Sequence, residues 1–207
     1  MNFLSFNLSD SLVADLLLLA HEVNNRPWTT FDVSYTEKDT SSHPLNLGRR
    51  MFFLKDWEKV KLVDNLVDDI VSQYLLDTAR IVPSGINGQP GLPHFLSCLY
   101  AEPRARGIQP HTDPRNTDGW LHLRTNFILS PAASGGDVII GNTMLEVSKG
   151  ESWAVWASEH MHRATPVTGK LLRIMFSLGF FVEPTYALDV QNNIKQMVTY
   201  FPCQLAN

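Results

Sequence analysis

Residues 83–93, PSGINGQPGLP, hold too much glycine and proline for any regular element, and the hydrophobic pattern changes character across them. Upstream, apolar residues recur at helical spacing. Downstream they fall into short runs: HFLSCLYA (94–101), LHLRTNFIL (121–129), DVII (137–140), TMLEV (143–147), SWAVWA (152–157) and LLRIMFSLGFFV (171–182). Turn signals separate them at Gly135-Gly136, Gly141-Asn142, Ser148-Lys149-Gly150 and Thr168-Gly169. Short strands spaced in this way predict a sandwich or barrel, with an antiparallel jelly-roll core over about 94–182. In the upstream part, Leu12, Leu16, Leu19 and Val23 predict a helix over 9–24. Trp57, Val60, Val63, Val67, Ile70 and Tyr74 predict a second, after a polar aperiodic stretch at 36–50. The expectation is a mainly β chain with N-terminal helices (about 1–82) packed on the core, in a single domain spanning 1–207. At 44% hydrophobic over 207 residues, there is enough apolar surface for such a core.

Charge and cysteine usage narrow the function classes. Seventeen Lys and Arg against twenty-one Asp and Glu leave a net charge of −4, so the broad basic footprint of a nucleic-acid binder is absent. Cys98 and Cys203 lie far apart, with no Cys-x-x-Cys spacing, which fits a reduced cytoplasm better than a disulfide scaffold. The apolar run from Leu16 to Ala20 follows Asp10 and Asp15 and has no basic region before it, so it is read as part of a helix. No segment approaches the roughly 20 apolar residues of a membrane span. The expected protein is cytoplasmic, with neither membrane nor nucleic acid as partner.

His111-Thr112-Asp113 places an imidazole and a carboxylate on one face of extended backbone, where both can grip one metal. Alone, such a triplet is a common accident. Downstream, however, His160 and His162 stand two apart, and Arg173 opens the last long run. Two histidines and one carboxylate on one face of a metal form the facial triad of non-haem iron(II) oxygenases, which leaves the opposite positions open. His160 and His162 share a face, so either could complete the triad. His21, His43 and His94 have no ligand spacing and are read as structural.

In Arg173, the apolar context Leu171-Leu172-Arg173-Ile174-Met175 makes a bare buried charge costly, and a guanidinium fork matches a carboxylate ligand. His122, Arg124 and Asn126 alternate with Leu121, Leu123, Thr125 and Phe127, so one face of that strand is polar. That face is either the wet side of a sheet or the wall of a cavity where Arg124 and Asn126 meet a ligand. Arg104, Arg106 and Arg115 flank His111 and are read as surface charges within reach of an anionic substrate.

Taken together, Pro110-His111-Thr112-Asp113, the strand LRTNFILSPAASGGDVII and the phrase His162-Arg163-Ala164-Thr165-Pro166-Val167-Thr168-Gly169 with Arg173 resemble the 2-oxoglutarate/iron(II) dioxygenase superfamily. The similarity covers 94–182 and is strongest to the prolyl 4-hydroxylase-like and aspartyl/asparaginyl hydroxylase-like branches. It implies a double-stranded β-helix (jelly-roll, cupin-like) fold, Fe(II) as metal, and 2-oxoglutarate and dioxygen as co-substrates. The family spacing to Arg173 selects His162 as the distal ligand and gives Arg173 the far carboxylate of 2-oxoglutarate. It adds Ser177, although the family serine usually sits where this chain has Met175, and Tyr100, as further co-substrate contacts. The implied reaction is hydroxylation of an unactivated C–H bond, with succinate and carbon dioxide as co-products. A carboxylate at 113, where related halogenases carry a small residue, favours hydroxylation over halogenation. The small chain and its loop arginines favour a free amino acid or related small metabolite as substrate. A protein-residue hydroxylase, a cupin-type metalloenzyme without 2-oxoglutarate and a catalytically silent binding module are the alternatives.

Overall fold

The structure is a computed structural model and describes residues 4–25, 35–38, 49–54, 61–74, 77, 80 and 95–200. Helix α1 (Asp10–Asn25) is capped by Ser9, whose Oγ accepts from the Leu12 amide at 3.3 Å. Val13, Leu16 and Ala20 form its buried stripe. Helix α2 (Lys61–Tyr74) buries Val63, Leu66, Val67 and Ile70 in the same way. Both expected helices are present, the second within the described residues only from Lys61; Trp57 and Val60 lie outside them.

All six expected strands form: β4 (Phe95–Ala101), β6 (Leu121–Ser130), β7 (Val138–Ile140), β8 (Thr143–Leu145), β9 (Glu151–Trp156) and β11 (Arg173–Val182). Five more join them: β1 (Leu4–Asn7), β2 (Tyr35–Lys38), β3 (Arg49–Leu54), β5 (Ile108–His111) and β10 (His162–Ala164). The N-terminal part is therefore not purely helical, since β1, β2 and β3 extend the large sheet at its two edges. That sheet has seven strands in the order β1-β9-β6-β11-β4-β3-β2, and a second has four in the order β5-β10-β7-β8. From β4 to β11 the chain passes repeatedly between the two antiparallel sheets, which is the jelly-roll path expected of a double-stranded β-helix. A third helix, α3 (Pro184–Tyr200), follows β11 directly and starts on a proline, a residue suited to the first helical turn.

The large sheet has two distinct faces. Cys98, Tyr100, Leu123, Phe127, Leu129, Phe176 and Phe180 point toward the helices and merge with the stripes of α1, α2 and α3 into the main core. Phe127, Phe176 and Phe180 are fully buried, each contributing roughly 1.5–3 kcal/mol through burial. The opposite face looks into the sandwich, where Leu99, Ile128, Trp153, Val155 and Met175 pack with Ile140, Val138 and Leu145 of the small sheet. Strand alternation then assigns His122, Arg124 and Asn126 of β6, with Arg173 and Ser177 of β11, to the inner face. The polar side of β6 therefore faces the interior of the sandwich.

Candidate metal centre

Strands β5 and β10 are antiparallel neighbours in which His111 lies opposite His162. Asp113 follows two residues later, its amide donating to the Ala157 carbonyl at 2.8 Å. His111 Nε2 and His162 Nε2 stand 3.6 and 3.7 Å from Asp113 Oδ1, and the two imidazole centroids are 4.3 Å apart. The three ligating atoms lie within 4.8 Å of one another, a spacing that can hold one metal ion. His160 is outside the group; its carbonyl instead accepts from His162 Nδ1 at 2.9 Å.

The tautomers are set for metal binding. His111 Nδ1 donates to the Gln109 carbonyl at 2.8 Å as His162 Nδ1 does to that of His160, so each Nε2 keeps its lone pair. His162 Nε2 is buried and has no hydrogen-bond partner, the condition a metal would relieve. Burial lowers the pKa of His162 and keeps the ring neutral, as a ligand must be. For Asp113, burial pushes the pKa upward, but the His122 hydrogen bond and the nearby Arg124 charge outweigh it and hold the carboxyl well below the ordinary range. It is an anion at neutral pH.

No family model matches the sequence, and no curated protein matches it. Solved structures do match. The non-heme alpha ketoglutarate dependent epimerase SnoN from nogalamycin biosynthesis superposes with a TM-score of 0.58 at 13% identity, covering 86% of this chain and 78% of its own. A prolyl hydroxylase from Trichoplax adhaerens, in complex with a hypoxia inducible factor peptide, reaches 0.57 at 16% identity over 87% and 83%. The viral collagen prolyl hydroxylase of Paramecium Bursaria Chlorella virus-1 reaches 0.51 at 14% identity over 84% and 91%.

The chain has the fold of these oxygenases.

Within that oxygenase fold, the remaining residues singled out from sequence fall into two groups. Arg173 lies on the inner face at the start of β11, 4% exposed, with Nη2 3.9 Å from Met175 Sδ. Gly136, at φ +75°, makes room for it: a Cβ at that position would meet Arg173 Cδ at 2.8 Å. Arg124 donates through Nη1 to Asp113 Oδ2 at 3.3 Å and through Nε to Ser177 Oγ at 2.9 Å. Ser177 donates to Asn126 Oδ1 at 2.7 Å, so its single proton is committed within the protein. Arg124 and Ser177 thus link Asp113 to Asn126 through one chain of hydrogen bonds.

Tyr100 requires a correction. It is fully buried on the helix-facing side of β4 and its hydroxyl donates to the Ala20 carbonyl of α1. Residue parity is the cause: Ala101, opposite Arg173, shares the inner face, and the adjacent Tyr100, opposite Ile174, must face away. His122, named from sequence only as part of the polar face of β6, lies beside Asp113. His122 Nδ1 lies 3.2 Å from Asp113 Oδ2, and its side chain is only 5% exposed. Burial lowers its pKa, so the ring is neutral and donates its Nδ1 proton. The available signal was its place on the polar face of β6 beside Arg124. At the rim, Arg115 forms a two-point ion pair with Glu159, at 2.9 and 2.7 Å, which ties the loop after Asp113 to the turn before His162.

Proposed function

We propose that this protein is an iron(II)- and 2-oxoglutarate-dependent oxygenase that hydroxylates an unactivated C–H bond of a free amino acid or related small metabolite. The observation carrying this is the convergence of His111 Nε2, His162 Nε2 and Asp113 Oδ1, with His162 Nε2 buried and lacking any partner. These three atoms would hold the iron, and Arg173 would pair with the far carboxylate of 2-oxoglutarate on the inner face of the large sheet. When bound, iron(II) supplies dioxygen activation coupled to decarboxylation of 2-oxoglutarate to succinate and carbon dioxide.

The chain's own residues set the geometry for that chemistry. Hydrogen bonds from both Nδ1 atoms to backbone carbonyls fix the imidazoles, and Leu99, Ile128, Trp153, Val155 and Met175 give the interior a dry wall. The His111 side chain is 41% exposed against 14% for Asp113 and His162, so the substrate approach lies on the His111 side.

The substrate class is supported by SnoN and the carbocyclase SnoK, both from nogalamycin biosynthesis, one of which has been seen with nogalamycin RO. A second reading, hydroxylation of a protein residue, is supported by the peptide bound to the Trichoplax prolyl hydroxylase. Cys98, buried and free, supports assignment to a reduced compartment, the cytoplasm. The test is succinate release that depends on added iron(II) and 2-oxoglutarate, read with mass spectrometry over a panel of amino acids, small metabolites and peptides. Anaerobic addition of both is expected to give a visible charge-transfer band, lost in Asp113→Ala and weakened in Arg173→Ala. Turnover that proceeds without 2-oxoglutarate would select the cupin-type alternative.

A further inference from the structure

The two oxygens of Asp113 have different surroundings. Oδ1 faces the ligating nitrogens of His111 and His162, at 3.6 and 3.7 Å, whereas Oδ2 faces His122 Nδ1 at 3.2 Å and Arg124 Nη1 at 3.3 Å. Neither donor is loosely held. Arg124 is braced by the Ser177 hydroxyl, which is itself bonded to Asn126. The β6–β11 register that sets Asn126 opposite Ser177 also sets Arg124 opposite Gly179, where no side chain competes for the space. His122 is packed beside Phe181, with ring centroids 5.5 Å apart.

We propose that Arg124 and His122 are positioning residues that together claim Oδ2 of Asp113 and restrict the carboxylate to a one-oxygen grip on the metal through Oδ1. This rests on the metal-centre reading above. An unrestrained carboxylate can turn to chelate through both oxygens, and the second oxygen would then occupy a position needed by 2-oxoglutarate or dioxygen. Attraction for the cation gives no reason to place Arg124 here, since a guanidinium beside a metal site opposes metal charge. Its planar fork, which reaches Asp113 with one nitrogen and Ser177 with another, is instead suited to holding a carboxylate at a fixed angle.

The experiment is infrared difference spectroscopy of the Mn(II)-loaded against the metal-free protein, with 13C-labelled aspartate and Asp113→Asn to assign the bands. One-oxygen coordination gives a wide separation between the antisymmetric and symmetric carboxylate stretches, and two-oxygen coordination a narrow one. The native chain is expected to show the wide separation. The Arg124→Gln/His122→Phe double variant is expected to show the narrow one and to bind 2-oxoglutarate about 10–100-fold more weakly in its Mn(II) form. Arg124→Gln alone, with one donor left, is expected to show both bands, and it decides the matter should the double variant fail to fold. A narrow separation in the native chain, or a wide one kept unchanged in Arg124→Gln, overturns the proposal while leaving the metal centre standing. Absence of any Mn(II)-dependent Asp113 band in the native chain overturns both.

Discussion

Gly136 offers a sharp test of how Arg173 is placed, because a single methyl group there acts on two quantities that a second glycine separates. Carbon atoms in contact settle at about 3.5–4.0 Å, so a Cβ lying 2.8 Å from Arg173 Cδ forces that side chain back by about 0.7 Å or more. Arg173 is only 4% exposed and has little room to yield. Gly136→Ala also imposes a left-handed backbone on a residue with a side chain, at φ +75°, which costs about 1–2 kcal/mol. Gly141 is the control: its φ is +57°, yet nothing lies within 4 Å of an added Cβ. Both alanine variants should therefore lose about 2–8 °C of melting temperature. Only Gly136→Ala should weaken 2-oxoglutarate binding, on the order of 10–100-fold, since a misplacement of about 1 Å in a positioning group costs that much. Isothermal titration of 2-oxoglutarate into each Mn(II)-loaded protein reads the difference. If Gly136→Ala binds it as tightly as Gly141→Ala does, the assignment of Arg173 to the co-substrate is refuted.

Tyr100→Phe should lower the melting temperature by about 1–6 °C through loss of the bond to Ala20, with 2-oxoglutarate affinity unchanged. Saturating Mn(II) should raise the melting temperature of the native chain by about 5–10 °C at a hundredfold excess over its dissociation constant. His162→Ala should abolish that rise in a thermal-shift assay and His160→Ala should retain it, since of these two histidines it is His162 whose Nε2 faces Asp113. Asp113, with its pKa held below the ordinary value of about 3.9, contributes stability that is full above that pH and is lost as pH falls through the lower folded value. Metal-free native protein should consequently lose melting temperature more steeply below about pH 4 than Asp113→Asn, measured by calorimetry. Tyr186→Phe removes the hydroxyl that accepts from the Asp77 amide at 2.6 Å and should cost about 0.5–1.5 kcal/mol in denaturant unfolding.

Strands with a strong apolar alternation, β4, β6, β9 and β11, were legible because burial on one face or both demands it. Strands β5 and β10 were not, since they are four and three residues long and carry His, Gln, Pro and Arg in place of an apolar pattern. What makes them strands is pairing with each other and with β7, which no local window contains. The metal-centre geometry was nevertheless foreshadowed, because His111, Asp113 and His162 are chemically distinctive whatever surrounds them. The supporting residues were harder to assign. Arg124 and Asn126 stood out as one polar face, but whether they met a ligand or a neighbour depended on β6 lying beside β11 and above Asp113. The face Tyr100 takes follows from its parity relative to Arg173 across the β4–β11 pairing, which nearness to residues 111–113 in sequence does not carry.

Both histidines of the centre come from the four-stranded sheet, while the donors on Asp113 come from β6 of the seven-stranded one. An ion bound there would therefore be a rivet through both layers, fastening β5 and β10 to the helix-backed sheet. Its departure would be felt first as faster amide exchange in β5 and β10, with the core beneath α1 and α2 still closed. Metal loss would thus act on the chain as a local fraying of β5 and β10.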